Sequence, residues 1–290
     1  MTSLYEPRVL LDGLAYVESP RWHDGRLWFS HWGCEEVLAV DLDGNCEVVA
    51  PGRPGMGWAT AWLPDGRLLV TGETLLRREA YGSFVEHADL TGVTGLTGGF
   101  TGACDEIVVD GRGNVFVNSI EFDFLGGGEP TGGLIALIAP DGSVRQVAGG
   151  LAFPNGMVVT PYNATLIVAE SFAGRLTAFD IADDGSLTNR RTWAENVGPD
   201  GITMDAEGAI WASSSTLAKD CVRILEGGEI THRIPLDRHC FACMLGGPDR
   251  RTLFMLTAEW AGTENVEEQV ARRTGRIYVA DVEIPGAGWP

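Results

Sequence analysis

The chain has 290 residues, 40 of them acidic and 21 basic, for a formal charge of −19 at neutral pH. Phosphate recognition needs clustered Lys and Arg, so this balance excludes nucleic acid as an expected partner, and an anionic membrane surface would repel the chain. The first residues, MTSLYEPRVLL, contain no basic segment followed by a long apolar one, and no run of about 18 apolar residues occurs anywhere, so the chain reads as soluble and cytoplasmic.

Residues 7–17 (PRVLLDGLAYV) read as a strand standing ahead of the first of six repeats. Each repeat is a turn rich in Asp, Asn or Gly that runs into an alternating apolar strand ending in a small or hydroxyl residue. The copies are 23–30 (HDGRLWFS), 64–71 (PDGRLLVT), 110–119 (DGRGNVFVNS), 161–171 (PYNATLIVAES), 205–214 (DAEGAIWASS) and 248–258 (PDRRTLFMLTA). Taking Trp28, Leu69, Phe116, Ile167, Trp211 and Phe254 as equivalent, the spacings are 41, 47, 51, 44 and 43 residues, which is blade-sized. A second strand-like segment follows each copy: 37–45, 84–92, 134–142, 176–185, 222–228 and 277–286. These segments alternate in side-chain direction and end in turn residues, as strands joined by hairpins do. Only a polar stretch near Glu264 to Arg272 suggests a helical turn or two.

One four-stranded blade exposes both faces, whereas six packed radially share a continuous core. The expected fold is therefore all-β: a six-bladed β-propeller of four-stranded antiparallel blades around a central tunnel, forming one domain over residues 1–290. Residues 7–17 should supply the last blade's missing strand and close the ring. Six cysteines are scattered through the chain, and Cys240-x-x-Cys243 has no second pair to complete a zinc site, so free thiols are expected.

Ligands in a propeller are held at the start of each innermost strand. Four residues before Trp22, Val109, Val159 and Met204 stand Glu18, Asp105, Asn155 and Asp200 in blades one, three, four and five, and the corresponding positions of blades two and six hold Ala59 and Ala242. Three carboxylates and an amide facing one another across a narrow tunnel would repel unless a cation joined them. Oxygen-only donors favour calcium, with magnesium, manganese or zinc as alternatives.

At these residues the chain resembles the family of senescence marker protein (regucalcin), gluconolactonases and related lactonases. The similar stretches begin at Glu18 (ESPRWHDGRLWFSH), Phe153 (FPNGMVVTPYNATLIVAES), Gly174 (GRLTAFDIADDGSLTNRR), Pro199 (PDGITMDAEGAIWAS) and Cys243 (CMLGGPDRRTLFMLTA), spanning blades one to six. The resemblance implies a propeller with one divalent metal in its tunnel, bound by Glu18, Asn155 and Asp200, with Asp200 also the general base. Where the family usually has an Asn-Asp pair preceded by arginine, this chain has Asp105-Glu106 and Ala103, so its site is the more anionic.

The expected reaction is hydrolysis of a small lactone or ester. The metal polarises the carbonyl, and Asp200 takes a proton from the attacking water. Loop and rim residues Trp58, Glu121, Phe122, Glu170, Phe241 and His31 are the candidate substrate contacts. Gly-x-Ser-x-Gly is absent and the five histidines lie in unrelated contexts, so a Ser-His-Asp mechanism is not expected. Two alternatives are a phosphotriesterase-like hydrolase and a cation-binding propeller without turnover. Oligomeric state is not legible.

Overall fold

The computed structural model describes residues 5–50, 56–72, 74–90, 93, 106–214 and 219–288. They form six four-stranded antiparallel sheets, each in meander order. Blade one runs through Glu18–His23, Arg26–His31, Glu36–Val40 and Cys46–Ala50, and blade two through Met56–Trp62, Leu68–Gly72, Leu75–Arg78 and Phe84–Ala88. Blade three comprises Ile107–Val109, Val115–Ser119, Gly132–Ile138 and Val144–Ala152, and blade four Pro154–Val159, Thr165–Glu170, Arg175–Ile181 and Leu187–Glu195. Blade five comprises Ile202–Met204, Ile210–Ser214, Asp220–Ile224 and Ile230–Pro235.

Blade six contains His239–Gly246, Thr252–Ala258 and Gly275–Asp281, and takes its outer strand, Arg8–Leu14, from the beginning of the chain. Leu14 pairs with Gly275 and Arg8 with Val279, so the ring is closed as expected. The first strand of each blade touches the first strand of the next, and that of blade six returns to blade one, which places these six strands around the axis. Between Thr252–Ala258 and Gly275–Asp281 lies a short helix, Val266–Ala271.

The turns form where the sequence signals them. Asp24 and Gly25 both take positive φ (49° and 74°), the primed geometry that matches strand twist in a two-residue hairpin. In blades three and five an Asp organises the turn: Asp110 Oδ1 accepts from the backbone N–H groups of Arg112 and Asn114 (2.8 and 2.9 Å). Asp205 does the same for Glu207 and Ala209.

Strand alternation sends successive side chains to opposite neighbours. In blade three, Ile107, Val109, Val115 and Val117 pack against blade two, while Val108 and Phe116 pack against blade four. An apolar cluster of this kind occupies each of the six blade interfaces. Between blades five and six it includes Cys221, Cys240 and Cys243 as buried free thiols, whose pKa values burial pushes up. Such thiols are packing groups. Cys104 lies outside the described residues.

Candidate active site

All first strands begin at the same end of the ring, the end at which second strands finish and third strands start. At that end the first strands of blades one, two, four and six carry a bulge, between Glu18 and Arg21, Met56 and Thr60, Pro154 and Met157, and Cys240 and Ala242. Bulges commonly re-aim side chains beside functional sites.

Strand pairing fixes the height of each residue. Ile107 faces Val117, Met157 faces Val168, Ile202 faces Ala212, and Thr60 faces Val70; each partner lies one residue beyond the repeat's marker. Two residues before this level stand Asn155 and Asp200. By the same register Glu18 matches them in blade one, Trp58 in blade two and Phe241 in blade six. Ala59 and Ala242 therefore stand one residue too far along: in blade two pairing ends at Trp62 and Leu63 already belongs to the turn, and in blade six pairing runs one residue further, to Gly246 with Thr252. A one-residue slip reverses side-chain direction, so the correction changes which residues can face a ligand.

Asp105 and Ala103 lie outside the described residues, as does the side chain of Trp58. Asn155 and Asp200 are buried and Glu18 is half-buried. The Asn155 side-chain amide has no protein hydrogen-bond partner among the described residues.

The backbone holding these side chains is pinned from neighbouring blades. Asn155 C=O accepts from the Asn118 side-chain amide at 2.6 Å, and Asn118 Oδ1 accepts from Glu106 N–H at 2.9 Å. Asp200 donates its N–H to Ser213 C=O (3.1 Å) and accepts on its C=O from Gly156 N–H (3.2 Å); Gly201 N–H donates to Phe241 C=O (2.8 Å). Gly156 and Gly201 are required by this close approach. A Cβ on Gly201 would lie 2.6 Å from Ala242 Cβ, and one on Gly156 2.6 Å from Ile202 N. Thr71, Asn118 and Ser213 each sit two residues after the repeat marker and bond first-strand backbone of their own blade. For Thr71 and Ser213 the hydroxyl residues closing the repeat were the sequence signal.

Sequence reasoning missed Arg21. Its guanidinium reaches past blade two on the tunnel side to Glu106 Oε2 (3.1 Å) and Ile107 C=O (2.6 Å), and also donates to Pro20 C=O (2.8 Å). The Ser19 hydroxyl is also within hydrogen-bonding distance of Glu106 Oε2 (3.3 Å). Burial pushes the Glu106 carboxyl up, against the pull of Arg21, Ile107 N–H and Ser19.

The other predicted contacts are dispersed around this end. Phe122 is buried in an aromatic group with Phe124, Phe153 and Phe172, in which Phe153 and Phe172 stack at 4.4 Å. Phe241 packs edge-on to Tyr16 and Trp260. Glu121 takes a positive φ (60°) in the long connection after Ser119, and its C=O accepts from the Thr131 hydroxyl.

Glu170 is fully buried, and its oxygens accept from Arg175 (2.9 Å), Arg190 (3.2 Å), Thr177 (2.5 Å) and Ala152 N–H (2.8 Å). Burial raises its pKa, but the bonds from Arg175, Ala152 and Thr177 outweigh this and hold it below the ordinary range. Its position braces the turn leading into Pro154 and Asn155.

His31 Nε2 accepts from Ala15 N–H (2.9 Å) and Nδ1 faces Glu36 (3.2 Å). Donor atoms of His31, Cys34 and Glu36 lie within 4.8 Å of one another. A metal on Nδ1 would need the ring proton on Nε2, opposed to the Ala15 N–H, so the trio fits a hydrogen-bonded clasp for the closing strand better than a metal centre. At the axis the donor chemistry differs. The carboxylates of Glu18 and Asp200 and an Asn155 amide oxygen without a partner among the described residues suit a hard divalent cation.

The molecule is thus a six-bladed propeller with oxygen-bearing side chains gathered at one end of its first strands. The family model for the SMP-30/gluconolactonase/LRE-like region matches residues 16–259, and the chain belongs to that family. It is 25% identical over 193 residues to a pentonolactonase of Haloferax volcanii, a match covering 63% of each chain, so under two-thirds of that relative's length is spanned. Among solved structures, a calcium-binding regucalcin from Agrobacterium tumefaciens superposes with a TM-score of 0.78 at 20% identity, covering 98% of this chain and 96% of that one. A gluconolactonase from Xanthomonas campestris gives 0.71 at 21% identity, covering 97% and 89%. A luciferin-regenerating enzyme gives 0.79 at 15% identity, covering 97% of both. At these identities the structural likeness is one of fold. No helix among the described residues is long and apolar enough to cross a membrane.

Proposed function

We propose that the protein is a metal-dependent lactonase that opens a small lactone, such as a sugar lactone, to its hydroxy acid. The observation that supports this most directly is the equal height of Glu18, Asn155 and Asp200 at one end of the first strands, in a chain whose family includes gluconolactonases. Glu18, Asn155 and Asp200 would hold the cation, with Asp105 as a fourth candidate. When bound, it supplies carbonyl polarisation and a more acidic water.

The chain's own groups account for the proton. Water attacks the carbonyl carbon and one of its protons passes to an Asp200 carboxylate oxygen; the ring C–O bond then breaks and the proton moves to the departing oxygen as a hydroxyl. Asp200 is suited to this because hydrogen bonds from two sides fix its backbone. The Phe122 group and Phe241 would offer apolar surface near the same end of the ring.

The test is exhaustive chelation followed by calcium, zinc, magnesium or manganese add-back against a panel of lactones, with Asp200→Asn measured in parallel. Turnover should vanish and return with metal, and Asp200→Asn should lower kcat by about 10²- to 10⁴-fold. Undiminished turnover after chelation would remove the proposal. Tight cation binding without turnover of any lactone would favour a non-catalytic role.

A further inference from the structure

Lys219 is the only lysine in the chain; the other 20 basic side chains are arginines. It stands just before Asp220–Ile224, hence at the same end of the ring as Asp200, and it lines a cavity of about 230 Å³ together with His239, Glu259, Trp260, Arg272 and Thr274. In a chain of charge −19, this hollow gathers two permanent cations and one lining carboxylate, and Arg272 also pairs with Glu268 (3.3 Å).

Three features mark it as a built site. First, the loop roofing it is fixed by the buried Gln269: its Oε1 accepts from the Tyr16 hydroxyl (2.7 Å) and Ala261 N–H (2.8 Å), and its Nε2 donates to Gly262 and Glu264 carbonyls (2.9 and 2.8 Å). Second, the His239 imidazole lines the cavity, and its buried Nδ1 has no hydrogen-bond partner among the described residues, a rare state for a polar atom. His239 begins the first strand of blade six two residues before Phe241, so the cavity adjoins the level of Asp200. Third, among the described residues no carboxylate pairs with the Lys219 ammonium, whose Nζ donates to Asp237 C=O at 3.3 Å. The Lys219 charge is close enough to His239 to add to burial in lowering that imidazole's pKa.

We propose that this cavity binds the carboxylate or phosphate end of a small organic anion, with Lys219, Arg272 and the His239 imidazole as its polar contacts and Trp260 as the wall for its carbon skeleton. Ammonium and guanidinium groups bind such oxygens by charge-assisted hydrogen bonds. Binding here is independent of turnover in the tunnel, so it stands or falls separately from the lactonase reading.

The lone lysine supplies its own probe. Reductive methylation with ¹³C-formaldehyde keeps the charge and labels Lys219 and the α-amino group alone, giving one side-chain resonance to follow in the intact chain. Gluconate, 6-phosphogluconate and inorganic phosphate are titrated at constant ionic strength, with sorbitol as the uncharged control. The expected result is a saturable shift with the carboxylate or phosphate probes and none with sorbitol, weakened about tenfold or more in Arg272→Gln and in His239→Gln. If gluconate and 6-phosphogluconate act and inorganic phosphate does not, the carbon skeleton contributes as proposed. Absence of a saturable shift with every anion, or shifts unaltered in both variants, would overturn the proposal.

Discussion

Replacing Arg21 by Met tests whether the tunnel-side ion pair holds the first three blades together. The side chains of Arg21 and Glu106 are 9% and 6% exposed, and the guanidinium makes three of its bonds to Glu106, Ile107 and Pro20. Its removal leaves a buried carboxylate whose remaining partners among the described residues are the Ser19 hydroxyl and Ile107 N–H, both at 3.3 Å. Breaking a buried pair from one side typically costs about 3–5 kcal/mol. At about 2–4 °C per kcal/mol for a chain of this order, the melting temperature should fall by roughly 6–20 °C. The double variant Arg21→Met/Glu106→Leu leaves no charge stranded and should recover most of that loss. Acid should also rescue the single variant. Burial already raises the folded-state pKa of Glu106, and losing Arg21 raises it further, so the folded state binds more protons than the unfolded one and stability falls as pH rises above the unfolded value of about 4.3. Thermal and urea unfolding between pH 4.5 and 8, in buffers chosen around that value, measures all three. A single variant that loses under about 1 kcal/mol, or a double variant as unstable as the single, would refute the assignment of a buried, mutually dependent pair.

Gly201→Ala should destabilise by about 1–3 kcal/mol through overpacking, because its Cβ would fall 2.6 Å from Ala242 Cβ; urea unfolding checks this. Burial pushes the Tyr16 phenol up to about 12, so the unfolded chain ionises it first, and its contribution, complete below about 10, is lost as pH rises toward 12. Tyr16→Phe should flatten that part of the alkaline unfolding curve relative to the parent protein.

The six-blade ring, its closure by the first strand and the short helix before Arg272 were legible because each depends on local pattern: period-two alternation, Asp-Gly turns and a regular spacing. Glu18, Asn155 and Asp200 were legible as residues of one height for the same reason. The slip arose because Leu63 of blade two belongs to the turn and because blade six pairs one residue further, offsets that only strand pairing reveals. Arg21 escaped notice because its partner lies 85 positions away in a non-adjacent blade, and a basic residue in an alternating strand looks solvent-directed until its neighbours are known. Glu170 carries no sequence mark that separates a rim acid from one enclosed by two arginines and a threonine.

The residue after each candidate ligand explains how six similar blades make an unequal ring. In blades four and five that residue is Gly156 or Gly201, and the absent side chain lets the next blade's backbone come close enough for direct N–H···O=C bonds. In blades one and three it is Ser19 or Glu106, and side chains make the link: the Ser19 hydroxyl accepts from Thr60 N–H (3.2 Å), while Arg21 bonds Glu106. Asn155 and Asp200 thus ride on a backbone-stitched half of the ring, whereas Glu18 rides on a half linked through side chains, the buried Arg21–Glu106 pair among them. A change at Arg21 should therefore move Glu18 relative to Asn155 and Asp200, and lower affinity for any ion the three share, before it alters either of the other two.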